Sequence, residues 1–201
     1  MRALTEAEFL NWSADRGLAL DPQYPDCAVL SFRSGSTDAR FWEIPDKPER
    51  RPHFLASLLD LLGDWKSCFA WRHLGSWPGL EHINSERIND VIEYQILKGI
   101  GLPMGSGSVV EFARGDHPAL VTLLFSTTIF GWSVGEDLYV VPDNARFILQ
   151  TDHHNVVHVE FRDANDVDRW VTEMEKRGFP LPEGTPDETF KQPDWMPKHE
   201  H

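Results

Sequence analysis

Residues 147–161 read Phe147-Ile148-Leu149-Gln150-Thr151-Asp152-His153-His154-Asn155-Val156-Val157-His158-Val159-Glu160-Phe161. This stretch predicts a β-hairpin, because two apolar, β-branched runs flank residues 152–155, where Asp and Asn favour turn geometry. Side chains alternate between the two faces of a strand. One face of the second strand therefore carries Val157, Val159 and Phe161 towards a core, and the opposite face carries His154, Val156, His158 and Glu160.

The same hairpin concentrates side chains that bind metal ions. Residues two apart on one strand face lie roughly 6.5–7 Å apart, close enough for imidazoles and a carboxylate to converge on one zinc ion. The candidate ligands are His153, His154, His158 and Glu160. The alternative is a purely structural hairpin with a half-exposed strand, and the turn composition of residues 152–155 favours this second interpretation.

A second candidate site is the segment Gly131-Trp132-Ser133-Val134-Gly135, which has the G-x-S-x-G pattern. It resembles the nucleophile elbow of the α/β-hydrolases, which implies a nucleophilic role for Ser133 and a triad with Asp152 and either His154 or His158. The resemblance covers five residues. An elbow needs a helix after the serine, whereas residues 136–142 have the composition of a strand.

Composition excludes several classes of protein. The 201 residues carry a formal net charge of −13, which argues against binding to a phosphate backbone and favours a basic protein partner. No stretch approaches the roughly 20 apolar residues that cross a bilayer, so no membrane contact is expected. The N-terminal residues lack the features of a secretory signal, which leads us to expect a cytoplasmic protein.

Periodicity predicts most of the remaining elements. Thr5 and Glu8 form a capping box at the start of a helix that buries Phe9. Residues 28–32 and 40–44 predict strands joined as a hairpin, and residues 68–74 and 109–113 predict two more strands. Apolar residues at helical spacing predict helices over 52–62, 85–98 and 167–178. Residues 119–130 are apolar throughout, so their pattern does not decide between a helix and a strand.

In the helix over residues 85–98, the apolar stripe comprises Ile88, Val91, Ile92 and Ile96. Glu86, Asp90 and Glu93 fall on the opposite side, which is typical of a solvated helix face.

The pattern as a whole predicts a single α+β domain over residues 1–178. We expect a mixed, mostly antiparallel sheet covered by three to four helices. Residues 179–201 are rich in proline and predict an extended tail that packs on the domain or is partly free.

Two classes of function are compatible with this sequence. The first is a non-catalytic protein-binding module of the inhibitor, immunity or adaptor type, with Trp77 and Trp195 as candidate binding residues in an exposed aromatic patch rimmed by carboxylates. The alternative is a hydrolase that uses either the histidine hairpin with a metal ion or Ser133. The absence of a complete catalytic motif favours the binding module.

Overall fold

The computed structural model describes residues 1–20, 29–33, 38–72, 88–103, 109–130, 137–152 and 155–184. These residues form a seven-stranded sheet, a two-stranded sheet and five α-helices. Every strand pairing among them is antiparallel. The chain is therefore an α+β domain, as the sequence predicts.

The strands are β1 (Arg2–Leu4), β2 (Leu18–Leu20), β3 (Leu30–Phe32), β4 (Asp38–Glu43), β5 (Ser67–Arg72), β6 (Val109–Ala113), β7 (Leu138–Pro142), β8 (Phe147–Asp152) and β9 (Val156–Phe161). The α-helices are α1 (Glu6–Asp15), α2 (Arg51–Leu61), α3 (Ile88–Gly99), α4 (His117–Phe130) and α5 (Asn165–Lys176). The order in the large sheet is β1-β6-β5-β7-β8-β9-β4, and β2 pairs with β3 in the small sheet.

The large sheet is covered on both faces. Helices α2 to α5 bury one face, where residues such as Phe54, Leu97 and Leu124 join the main core. Helix α1 and the small sheet bury part of the opposite face, where Phe9 and Phe32 pack with Trp71. Central strands consequently carry apolar residues on both sides.

Trp170 of α5 forms the centre of an aromatic cluster in the main core and is fully buried. Its ring centroid lies 5.1 Å from Phe147, 5.4 Å from Phe161 and 6.2 Å from Trp42. These partners belong to β8, β9 and β4, so one helix side chain joins three neighbouring strands. Aromatic pairs at such separations contribute roughly 0.5–1.5 kcal/mol beyond their area burial.

The predicted capping box of α1 is confirmed. Thr5 Oγ1 accepts the Glu8 backbone N–H at 3.2 Å, and Glu8 Oε2 accepts the Thr5 backbone N–H at 2.7 Å. This backbone hydrogen bond lowers the pKa of the Glu8 carboxyl. The helix ends at Asp15 with Arg16 as its C-cap, and Gly17, which follows, has a φ of +71° that suits glycine.

The hairpin predicted from residues 28–32 and 40–44 is wrong. The two strands form, but β3 pairs with β2 and β4 pairs with β9. The sequence Ser34-Gly35-Ser36 between the strands suggested a local pairing, whereas β4 forms a longer ladder by pairing with a strand more than 100 residues further along the chain. Strand pairing here is decided by burial in the large sheet and not by proximity in sequence.

Residues 119–130, for which the sequence left two structures open, are helical within α4. Helix α4 packs between α2 and α3 and also contacts the sheet through β6 and β8. Because neighbours surround it, α4 is apolar on nearly all sides and lacks the polar face of a surface helix.

The predicted orientation of α3 is wrong. Glu93 is buried at 5% exposure, together with Tyr94 and Leu97, whereas Ile92 is 41% exposed. The sequence predicted the reverse, since it placed Ile92 in the core stripe and Glu93 on the solvated face. Relative to the predicted orientation, the helix is thus rotated about its axis, so that Tyr94 and Leu97 are buried in place of Ile92.

This orientation predicts the effects of two alanine substitutions. Leu97→Ala should lower the free energy of unfolding by roughly 2–5 kcal/mol, because it leaves a cavity in the core. Ile92→Ala should change it by no more than about 0.5 kcal/mol, because that side chain is largely in solvent. Urea denaturation followed by circular dichroism measures both. Equal losses would contradict the orientation of α3.

Candidate functional site

The hairpin that the sequence singled out forms as predicted. Strands β8 and β9 pair from Phe147 with Phe161 to Asp152 with Val156. The Asn155 N–H bonds to the Asp152 carbonyl at 3.2 Å, and Asn155 has a φ of +65°, a conformation that asparagine tolerates. Val157, Val159 and Phe161 face the main core, and His158 and Glu160 share the opposite face.

On that face, His158 lies beside one of the predicted partners. Its Nε2 is 3.4 Å from Asp152 Oδ2, and its ring meets the ring of Phe41 edge to face at 4.6 Å. The imidazole is 25% exposed and therefore reachable from solvent. The structure thus brings together a carboxylate, an imidazole and an aromatic ring at the end of the hairpin.

Glu160 has a different structural setting from that of His158. Its Oε1 accepts the backbone N–H of Phe32 at 3.3 Å, a contact that ties β9 of the large sheet to β3 of the small one. Among the described residues, no group of three or more His, Cys, Asp or Glu side chains is arranged to hold a metal ion. His158 and Glu160 are the described members of the predicted zinc site.

Several predicted site residues lie outside the described part of the chain, namely Ser133, His153, His154, Trp77 and Trp195. The proposed roles of these residues stay predictions. Of the tryptophans that are described, Trp42, Trp65, Trp71 and Trp170 are buried and Trp12 is half-buried. They stabilise the two cores, and Trp42 also borders the cleft described below.

Sequence reasoning missed a second surface, at the edge of the large sheet. Strand β4 stands at the end of the strand order, so it is an edge strand whose one described neighbour in the sheet is β9. The Ile44 N–H bonds to the Asn155 carbonyl at 2.8 Å. Along an antiparallel strand, the backbone N–H and C=O groups of successive residues point alternately to the two sides. The groups of Arg40 and Trp42 therefore point to β9. Those of Ala39, Phe41 and Glu43 point away from it.

Most of these outward groups are available for pairing. The Ala39 carbonyl accepts a hydrogen bond from Arg40 Nη1 at 2.7 Å. The outward backbone groups of Phe41 and Glu43 have no such partner within the described chain. An unpaired row of this kind is a template for an added strand.

A cleft of about 310 Å³ opens where β4 ends. Its walls come from the end of β4, the segment after it and the segment after α5, and they combine apolar and proline residues with Glu43, Asp46 and Arg50. The lining residues are Trp42, Glu43, Ile44, Pro45, Asp46, Arg50, Gly178, Phe179, Pro180, Leu181 and Pro182. Its volume is at the lower end of the range for pockets that hold small ligands or single anchoring side chains.

Two arginines fix the walls of the cleft. Arg50 Nη2 donates to the Gly178 carbonyl at 3.0 Å, and its guanidinium lies 5.0 Å from the centre of the Phe179 ring. Arg51 donates to the Pro45 carbonyl at 2.9 Å and to the Thr128 carbonyl at 2.5 Å. Burial lowers the pKa of the Arg51 guanidinium, an effect that the Asp46 carboxylate opposes.

The rim of the cleft carries negative charge. Glu43 and Asp46 are both exposed, and Glu43 forms no ion pair with another residue of the described chain. The cation of Arg50 is directed to the Gly178 carbonyl and the Phe179 ring. The rim therefore presents the carboxylates of Glu43 and Asp46 beside the guanidinium of Arg50, and Glu43 is the carboxylate most open to a cation from outside the molecule.

Comparison with known proteins does not assign the chain to a family. No protein-family model, curated protein or solved structure matches it. None of the helices in the described ranges is long and apolar enough to span a membrane. The functional inference therefore depends on the geometry of the site alone.

The role of Arg50 in the cleft predicts the effect of its removal. Arg50→Ala loses the hydrogen bond to Gly178 and the contact with Phe179, and it should lower the free energy of unfolding by roughly 1–2 kcal/mol. Amide hydrogen exchange of residues 178–181 should become faster. The control is Lys47→Ala, an exposed neighbour on the same connection. Identical behaviour of the two variants would show that Arg50 does not support the wall.

Proposed function

We propose that this protein is a non-catalytic binding module that holds an extended segment of a basic protein partner along β4. The observation that carries the proposal is the outer edge of β4, which no other described strand pairs and which runs directly into a cleft with Glu43 and Asp46 at its rim. In this mode, main-chain hydrogen bonds supply affinity and a side-chain pocket supplies specificity. An inhibitor, immunity or adaptor role is compatible with it.

The two edges of the large sheet differ in their suitability for this role. The opposite edge is β1, which has three residues, whereas β4 has six. Proteins commonly protect sheet edges by keeping the edge strand short. Strand β4 is long enough to pair Phe41 and Glu43 with a partner strand, and Pro45 ends the ladder at the cleft.

Charge supports a basic partner. The chain has 32 acidic and 19 basic residues, so a cationic segment is attracted at long range. At short range, Glu43 and Asp46 offer carboxylates beside the apolar walls of Pro180 and Leu181. The segment that fits best carries an apolar anchor for the cleft and a lysine or arginine for the rim. The same charge disfavours nucleic acid.

A hydrolase is the second candidate, and the contact between Asp152 and His158 supports it. A carboxylate that orients an imidazole prepares it for proton transfer. The nucleophile predicted for this reaction, Ser133, and the further metal ligands His153 and His154 lie outside the described residues. Hydrolysis of an activated ester that is lost in both Ser133→Ala and His158→Ala would favour this candidate.

The cytoplasmic location remains a prediction.

The binding proposal is tested with a display library of random dodecapeptides at low salt. Enriched peptides should contain an apolar residue near a lysine or arginine, and their affinity should fall as salt rises. The double variant Glu43→Lys/Asp46→Lys should bind a selected peptide at least about tenfold more weakly, since attraction at the rim becomes repulsion.

The matched control is Asp64→Lys/Asp168→Lys, which changes the net charge equally at exposed positions away from the cleft. When both double variants are compared at about 0.15 M salt, the affinity of this control should stay within about twofold of the unmodified protein, because distant surface charges are then screened. Equal weakening by the two double variants would show that the peptide responds to the net charge of the protein and not to the carboxylates at the rim. Failure to enrich any peptide over protein-free support would contradict the proposal.

A further inference from the structure

The C-terminal segment of the chain begins beside the cleft at the end of β4. Leu181 and Pro182 belong to the lining of this cleft, and the described part of the chain ends shortly after them, at Gly184. Residues 185–201 follow. This segment therefore starts within a few residues of the cleft wall and is closer to the cleft along the chain than any outside ligand can be before it binds.

Gly184 has a backbone conformation that lets the chain change direction. Its φ is +89°, in the left-handed region that glycine adopts without strain, and a Cβ at this position would meet no atom within 4 Å. Residues 183–189 separate the wall at Pro182 from Phe190. Hairpin loops commonly need only about 2–5 residues. The segment is therefore long enough to return an aromatic side chain to the wall that the chain has just left.

The segment also has the chemistry that suits the cleft. It contains two aromatic residues, Phe190 and Trp195, and each is followed closely by a lysine, Lys191 or Lys198. The cleft has apolar and proline walls, and its volume of about 310 Å³ suits one anchoring side chain. Glu43 is exposed at the rim, where it can pair with a lysine. An apolar anchor next to a cation is the combination that the cleft favours in a partner.

As a ligand, this segment is weaker than a basic partner. Residues 185–201 carry four acidic side chains and two lysines, so the acidic protein repels the segment as a whole. Attachment to the same chain compensates, because a short linker gives a tethered ligand an effective concentration in the millimolar range. A basic partner of higher affinity can therefore displace the segment.

We propose that residues 185–201 occupy the cleft of their own chain, with Phe190 or Trp195 as the anchor, and compete there with the partner. The apparent affinity for the partner is then reduced by the fraction of molecules whose cleft is filled, so the segment is an autoinhibitory element. The competition rests on the function proposed above, whereas the filling of the cleft does not.

Methyl NMR of the full-length chain tests whether the segment fills the cleft. Ile44 and Leu181 line the cleft, and an aromatic ring placed there shifts their methyl signals. Phe190→Ala/Trp195→Ala should therefore move both signals. A synthetic peptide of residues 185–201, added to this double variant, should move them back towards their original positions.

The matched control is Thr185→Ala/Thr189→Ala, which changes the same segment and keeps its aromatic residues. It should leave the methyl signals of the cleft unchanged. Signals of Leu97 and Leu124, in the main core, should be the same in all variants, which shows that the fold is kept.

Competition is measured with a peptide selected from the display library. The variant Phe190→Ala/Trp195→Ala should bind it at least about threefold more tightly than the unmodified chain, because the cleft is then open in every molecule. Addition of the synthetic peptide of residues 185–201 should reverse this effect.

Three outcomes would overturn the proposal. Unchanged signals of Ile44 and Leu181 in the aromatic double variant would show that the segment does not fill the cleft. Moved signals with unchanged affinity for the selected peptide would show that the segment and the partner do not compete. A difference between variant and unmodified chain that disappears on dilution would show that the segment enters the cleft of a second copy.

The two proposals fail separately. If the library yields no peptide, the function proposed above is contradicted, and the methyl signals of the cleft still decide whether residues 185–201 fill it.

Discussion

The structure depends on the burial of the large sheet on both faces. Strand β7 is buried at every position, and β5 is buried at every position except its first residue. Such strands are stable only if each face is covered. Helices α2 to α5 provide one cover, and α1 with the small sheet provides the other. Within the part of the chain that the structure describes, the two edge strands are therefore where the backbone of the large sheet can meet a partner.

This constraint also explains where the candidate binding site lies. The site forms where the helical cover ends, because the segment that leaves α5 borders β4 and leaves a cleft between Pro45 and Leu181. It lies at the border between the cover and the sheet, where main-chain groups and charged side chains reach solvent.

Much of the fold could be predicted from local pattern. The alternation in residues 156–161, the capping box of α1 and the stripe of α5 each reflect contacts within one element or one hairpin, so the sequence shows them directly. The partner of β4 could not be predicted, because pairing with β9 depends on competition between distant strands. The predicted orientation of α3 was wrong for a related reason. The helix buries the side that carries Tyr94 and Leu97 and not the side that carries Ile92, and this choice depends on packing against the rest of the fold.

The candidate sites were less visible than the fold. The sequence did single out Asp152 and His158, which the structure places 3.4 Å apart. The edge of β4 and its cleft escaped notice because edge status follows from strand order, and strand order is not encoded in any short motif.

Amide hydrogen exchange is the most direct test of whether a partner strand pairs with the outer edge of β4. Exchange should be compared with and without a peptide selected from the display library. Pairing should protect the outward amides of Phe41 and Glu43, whereas that of Trp42, already bonded to β9, should change little. Binding without protection of Phe41 and Glu43 would show that the partner docks elsewhere and would contradict pairing at this edge.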